Sequence, residues 1–179
     1  MKDEKDLTQV FATLDDMLQS TDISDINAES NPGFMTLPDG YYLAEVSSAK
    51  IRESSKGEPQ VQLMLKTVEN GITIDERGKL VEVPRTKNQM YGKYYTFKDD
   101  PKTLRQFVAD MLKFEESEDV PVLPKEAFTT AATIADALEV LVGMQIYFQM
   151  TTSNAGKDNE SHWGNLVSWK AAKSIGLQV

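Results

Sequence analysis

Apolar and polar residues alternate over several short stretches of the chain, a pattern typical of half-buried β-strands. In the first stretch the alternation shifts at Ser47 and Ser48, which predicts a β-bulge. Ser54 to Gly57 is typical of a turn, so the first two stretches predict a β-hairpin. The stretches are residues 42–51, 61–67, 80–83, 91–97, 144–150 and 162–169.

Three other segments place apolar residues at helical spacing. The first is Leu7 to Leu18, and the third is Lys125 to Val140. The second follows Asp99 and Asp100 and has Pro101 at its first position. An acidic cap before proline is a frequent helix start, so this segment predicts the most distinct helix of the chain.

Hairpins come first and last along the chain, with helices between them, which excludes a regular βαβ parallel sheet. We therefore predict a mainly β protein with helices (α+β), namely an antiparallel barrel of the oligonucleotide-binding (OB) type. Residues 1–37 are predicted to form an acidic helix and a flexible extension. Residues 38–179 are predicted to form one OB-like barrel domain, with helices inserted at about 99–141.

The formal charge of −9 is unevenly distributed along the chain. Residues 1–39 and 115–141 carry −7 and −6, whereas residues 40–114 and 142–179 carry +3 and +1. The predicted strands are therefore mildly basic, and local potential matters more for binding than total charge. The chain has no cysteine, which excludes disulfides and thiolate zinc sites. No long apolar run or leader is present, so we expect a cytoplasmic protein without membrane contact.

Cations and aromatic residues are interleaved from Arg85 to Lys98 without a single acid. Single-strand binding needs cations that follow phosphates and aromatic rings on which bases stack. Strand alternation places Tyr91, Lys93 and Tyr95 on one face and Tyr94 on the other. Either face can be the core, so the alternative is that these aromatics are buried. The predicted nucleic-acid-binding residues here are Arg85, Lys87, Tyr91, Lys93 and Tyr95.

Further candidates lie in the first and last hairpins. The first hairpin supplies Lys50, Arg52 and Lys56, which in an OB barrel flank the binding groove. The alternative is that this loop is an ordinary solvent-exposed turn without a binding role. Tyr147 lies on the polar side of its strand and is predicted to stack on bases. Trp169 is either a stacking residue or part of the core.

Three stretches of the chain resemble small phage single-stranded-DNA-binding proteins of the OB-fold type. They are residues 39–59 with Asp39-Gly40-Tyr41-Tyr42, residues 94–107 with Tyr94-Tyr95-Thr96-Phe97, and residues 141–169. The resemblance implies non-sequence-specific binding of single-stranded DNA in phage replication or recombination, in the host cytoplasm. It also implies that replication or recombination proteins are possible partners and that the chain can form a homo-oligomer. The chain departs from the family by ending without an acidic tail, so recruitment through such a tail is not implied.

Catalytic motifs are not found in the sequence. The single histidine, His162, cannot form a multi-histidine metal site, and no nucleophile elbow or phosphate-binding glycine loop occurs. We therefore predict no enzyme activity, no metal and no cofactor. The main alternative function is an acidic protein-interaction module, either a host-enzyme inhibitor or a DNA mimic. A metal-dependent nuclease on the same fold is a third hypothesis.

Overall fold

The structure is a computed structural model that describes residues 7–20, 37–99, 101–117 and 119–178. Contacts divide the chain into two units, Met1–Met35 and Thr36–Val179. In the first unit, helix α1 (Leu7–Ser20) confirms the helix that was predicted from Leu7 to Leu18. The predicted flexible extension lies almost wholly outside the described residues.

The second unit is built on an antiparallel sheet of seven strands, and β6 and β7 form a separate pair. Between and after the strands lie α2 (Pro101–Met111), a 3₁₀ turn (Lys125–Phe128), α3 (Ala131–Leu141) and α4 (Trp169–Ser174). The strands are β1 (Gly40–Glu53), β2 (Pro59–Thr67), β3 (Gly71–Ile74), β4 (Leu80–Val83), β5 (Met90–Thr96), β6 (Glu115–Ser117), β7 (Val120–Pro121), β8 (Gln145–Ser153) and β9 (Ser161–Val167).

The long strand β1 is the centre of the sheet. Its first half pairs with β8, its second half pairs with β2, and β3 joins it at Tyr41. Strand pairing therefore runs β9–β8–β1–β2–β5, and the β3–β4 hairpin branches from β1. Among the described residues β5 and β9 do not pair with each other, so strand pairing does not close the sheet. The predicted mainly β, antiparallel fold with helices is confirmed at this level.

The hairpin of β1 and β2 forms where the alternation predicted it. Pairing shifts between Val46 and Ser48, which confirms the bulge. The bulge lets β1 keep one face inward on both of its halves. Inward-facing residues of the two strands are fully buried, as alternation requires. They are Tyr42, Ala44, Val46, Val61, Leu63 and Leu65.

Helices α2 and α3 complete this core through Phe107, Met111, Leu138 and Leu141. The sequence predicted one helix from Lys125 to Val140, but the α-helix begins only at Ala131. The reason is the capping box at Thr130, whose hydroxyl accepts from the Thr133 N–H at 3.1 Å. Such a cap fixes the start of a helix, so the preceding residues form a separate 3₁₀ turn.

The chain end also differs from the prediction. The strand that was predicted from His162 to Trp169 ends at Val167, because the Ser168 hydroxyl accepts from the Ala171 N–H at 3.2 Å and starts α4. The following residues cover the side of the sheet opposite the main core, and Tyr147, Ala172 and Leu177 are buried there. None of the helices described is long and apolar enough to cross a membrane.

Candidate nucleic-acid interface

The two faces of β5 separate the predicted basic-aromatic segment as alternation requires. Tyr91, Lys93 and Tyr95 point toward the core side of the sheet, whereas Tyr94 points away from it with half of its surface exposed. Neighbours in sequence therefore have different surroundings, and each predicted residue has to be assessed separately.

Tyr95 belongs to the core. Its side chain is 3% exposed, and its ring packs edge-on against Phe107 at 5.2 Å. Its hydroxyl donates to Asp110 at 2.7 Å. Burial, with the neighbouring Asp110 carboxylate, raises the pKa of the Tyr95 hydroxyl. Because both ring faces are enclosed, a base has no access to this residue, in agreement with the alternative that the sequence left open.

Tyr91 and Lys93 connect β5 to β9 through the backbone of Gly164. The Tyr91 hydroxyl accepts from the Gly164 N–H at 2.7 Å, and the Lys93 ammonium donates to the Gly164 carbonyl at 2.7 Å. A Cβ at Gly164 would come within 2.7 Å of the Tyr91 ring, so glycine is required there. Burial lowers the pKa of Lys93 and raises that of Tyr91. These two side chains provide hydrogen-bond partners for the Gly164 backbone on β9, whose edge there has no partner strand among the described residues. Their role is therefore structural.

The side of β1, β2 and β5 that points away from the core forms a continuous surface, here called the outer face. Strand register arranges its residues in four rows of three, because residues paired across antiparallel strands lie on the same side. The rows are Arg52–Gln60–Thr96, Lys50–Gln62–Tyr94, Ser48–Met64–Gly92 and Glu45–Lys66–Met90.

The outer face is basic although the chain is acidic. Lys50, Arg52 and Lys66 are exposed on it, and Glu45 is the only carboxylate in the four rows. The described acids of the segment 115–141 lie on elements that pack on the other side of the sheet, since Phe114, Leu123 and α3 contribute to the main core. Acid and base are therefore segregated in this part of the protein, which favours a local positive potential.

Tyr94 is the exposed aromatic residue of this face. The Gln62 side-chain amide donates to the Tyr94 hydroxyl at 3.2 Å. The ring lies over Gly92, where an added Cβ would come within 3.0 Å of it. Its side chain is 50% exposed. The arrangement is an exposed aromatic ring held by two neighbours.

The sequence pattern did not single out Tyr94, Lys66 and Gln62 as candidates. Alternation correctly placed Tyr94 opposite Tyr95, but a single strand does not reveal which of its faces meets the core. The missing signal was the pairing of β5 with β2, whose inward residues Val61, Leu63 and Leu65 are plainly apolar.

The predicted cations of the loops lie at opposite ends of β2. Lys56 is exposed in the turn of the β1–β2 hairpin, between Glu53 and Glu58. Arg85 and Lys87 are exposed in the loop before β5. The latter loop is tied to the far end of β2 because the Asn88 N–H donates to the Thr67 carbonyl at 2.9 Å. The structure does not gather these three side chains into one cluster.

Tyr147 and Trp169 lie next to each other beside β1. Tyr147 is on the predicted polar side of β8, but it is only 5% exposed because the chain end covers it. Its hydroxyl donates to the Gln178 carbonyl at 2.9 Å, and burial raises its pKa. Trp169 is the first residue of α4, half-buried, and lines a cleft with Leu43 and Gln145. Tyr147 is thus inaccessible, whereas Trp169 remains accessible from that cleft.

Within the described part of the chain, no three histidine or acidic side chains are grouped so that they could hold a metal ion. His162 contacts Glu160 at 2.9 Å and the Thr152 hydroxyl at 2.8 Å at the end of the β8–β9 hairpin. No protein-family model matches the chain, and no curated protein matches it.

Proposed function

We propose that this protein binds single-stranded DNA without sequence preference and catalyses no reaction. The observation that carries the proposal is the outer face, where Lys50, Arg52 and Lys66 share one surface with an exposed Tyr94 ring. Proteins of this class combine a cationic surface that follows the backbone with aromatic rings that stack on bases. Gln60 and Gln62 add hydrogen-bonding groups to this face without adding charge.

The spacing of these side chains suits an extended strand. Lys50 pairs with Gln62, and Lys66 lies four residues further along β2. At about 3.3 Å per residue the two ammonium groups are attached roughly 13 Å apart along the strand direction. Tyr94 lies in the same row as Lys50, so a base on its ring keeps the adjoining phosphates within reach of cations on either side.

The proposal includes an OB-like barrel. The strand path β9–β8–β1–β2–β5 and the bonds from Tyr91 and Lys93 to Gly164 support this architecture. In OB folds the ligand lies across the second and third strands and is flanked by the loop of the first hairpin. In this chain β2 and β5 take those positions, and the first hairpin loop carries Lys56.

The biological setting is also part of the proposal. The resemblance of residues 39–59, 94–107 and 141–169 to phage single-stranded-DNA-binding proteins supports a role in phage replication or recombination. Such a protein works in the host cytoplasm beside other replication or recombination proteins, and can form a homo-oligomer.

The second candidate is an acidic protein-interaction module. It is favoured by α1, which exposes Phe11, Leu14 and Leu18 beside the acids Asp15 and Asp16. An amphipathic helix with exposed apolar residues is a common recognition element for protein grooves. Under this alternative the outer face has no ligand, and the protein does not bind DNA.

Fluorescence anisotropy with labelled oligo-dT, compared with a duplex of equal length, tests the proposal. We expect preference for oligo-dT and an affinity that falls steeply with salt. Each lost phosphate contact removes about 0.7 from the log–log salt slope, so Lys50→Ala/Arg52→Ala/Lys66→Ala should reduce the slope by roughly 2.

The matched control is Lys79→Ala/Lys125→Ala/Lys157→Ala, which makes the same charge change at exposed positions away from the outer face. An equal loss in both triple variants would contradict the outer face as the binding site. No oligo-dT binding by the unmodified protein at low salt would contradict the function and favour the interaction module.

A further inference from the structure

A cleft of about 120 Å³ lies between β1, β8 and the chain end. It opens on the same side of the sheet as the outer face, because Leu43 and Gln145 point away from the main core. Its lining residues are Leu43, Gln145, Ile146, Tyr147, Trp169 and Gln178.

The walls of this cleft are held in place. Ser168 caps α4 and so fixes Trp169 at the first helical position. The Tyr147 hydroxyl binds the Gln178 carbonyl at 2.9 Å, which ties the chain end to β8. Leu177 is buried beneath the same segment. The cleft is therefore largely preformed, as small-molecule sites usually are.

The lining suits a flat, uncharged ring with polar edges. Trp169 and Leu43 supply apolar surface, while the side chains of Gln145 and Gln178 each offer both hydrogen-bond donors and acceptors. None of the lining residues is charged, so the cleft gives no attraction for a phosphate. An enclosed cavity of roughly 150 Å³ holds a benzene ring, so an open cleft of about 120 Å³ has room for part of one six-membered ring, with the rest of the base in the opening.

The cleft is continuous with the proposed DNA surface. Gln145 pairs with Glu45, and Glu45 pairs with Lys66 on its other side. Neighbouring strands are about 4.8 Å apart, so Gln145 and Lys66 are separated by roughly 10 Å across the sheet. Lys66 and the wall of the cleft at Gln145 therefore lie in one row of the sheet, with Glu45 between them.

We infer that this cleft is a pocket for one nucleobase of the bound single strand, stacked on Trp169. The inference rests on the proposed function and adds a second base contact to the one at Tyr94. It also assigns different roles to the two tryptophans, because Trp163 is 49% exposed on β9 and does not line the cleft.

Tryptophan fluorescence tests the pocket without disturbing it. In a Trp163→Phe variant Trp169 is the only indole, because the chain has two tryptophans. We expect oligo-dT to quench its emission, with saturation at the concentration at which anisotropy saturates. An oligonucleotide with the same backbone but abasic sites should bind more weakly and leave the emission unchanged. Trp169→Ala should lower oligo-dT affinity roughly tenfold, whereas Trp163→Ala should not change it.

The outcomes separate the pocket from the function. Binding by anisotropy with unchanged Trp169 emission would overturn the pocket and leave the proposed function standing. Equal quenching by oligo-dT and by the abasic strand would show that the backbone, not a base, approaches Trp169, and would also overturn it. If no oligonucleotide binds at low salt, the function and the pocket both fail.

Discussion

Tyr94 and Tyr95 are neighbours on β5 with opposite surroundings. Tyr95 is buried against Phe107 and donates to Asp110, whereas Tyr94 lies half exposed on the outer side of the sheet. An aromatic segment on a strand can therefore serve two purposes at once. One face stabilises the fold, and the other is available for a ligand.

The same division extends to the neighbouring strands. The inner faces of β1 and β2 carry Val46, Val61 and Leu63, all without solvent exposure. Their outer faces carry cations and glutamines. Substitutions on the inner face should therefore change stability, and those on the outer face should change affinity.

The largest expected effect is at Phe107 of α2, which packs in the core against the inner face. Its ring contacts Tyr95, Phe97 and Phe128. Phe107→Ala removes these contacts and leaves a cavity, so the free energy of unfolding should fall by about 3–5 kcal/mol. Urea denaturation followed by circular dichroism measures the loss. A change below about 1 kcal/mol would contradict the assignment of this face to the core.

Asp110 should have the next largest effect. Its buried carboxylate accepts from Tyr95 at 2.7 Å and from Lys113 at 2.8 Å. Asp110→Ala leaves these donors without their partner, and we expect a loss of about 2–3 kcal/mol in the same denaturation experiment. Asp136→Ala, at an exposed position on α3, is the control and should stay within about 0.5 kcal/mol.

Alkaline pH should lower the free energy of unfolding through Tyr42, on the inner face of β1. Burial, with a smaller contribution from Asp39, raises the pKa of Tyr42 from 10.0 to about 12. The folded protein therefore keeps this proton between pH 10 and 12, while the unfolded chain loses it. The stabilisation is complete below pH 10 and is lost as the pH rises through 12. Urea midpoints measured across this range should fall more steeply for the unmodified protein than for Tyr42→Phe, and equal slopes would contradict the assignment.

On the outer face, Tyr94→Ala should separate affinity from stability. Loss of one stacking ring should weaken oligo-dT binding roughly tenfold. The free energy of unfolding should change by no more than about 0.5 kcal/mol, because the side chain is half exposed. Anisotropy and urea denaturation on the same preparation measure both quantities. Large destabilisation with unchanged affinity would reverse the roles assigned to Tyr94 and Tyr95.

Gly92→Ala should produce the smallest effect. The added Cβ would approach the Tyr94 ring to 3.0 Å, so the ring must tilt from its present position. Oligo-dT affinity should fall, but less than in Tyr94→Ala, and the double variant should bind no more weakly than Tyr94→Ala alone. A further loss in the double variant would show that Gly92 acts independently of the ring.

The sequence predicted local features well where one signal was sufficient. Alternation located β1, its bulge and the partition of Tyr94 from Tyr95, and the proline start located α2. It did not predict which face of β5 is buried, because that depends on pairing with β2. It also placed Tyr147 at the surface, since nothing local shows that residues after Val167 turn into α4 and cover β8. The sequence therefore predicted two cations of the candidate site, Lys50 and Arg52, but not its accessible aromatic residue, Tyr94.

The most direct test of the outer face is photocrosslinking with an oligonucleotide that carries 5-iodouracil, followed by peptide mass spectrometry. A base stacked on an aromatic ring crosslinks to that residue, so we predict a crosslink at Tyr94 that is absent in Tyr94→Ala. Efficient crosslinking confined to α1, to the β3–β4 hairpin or to α3, with none on β5, would contradict the outer face as the binding surface.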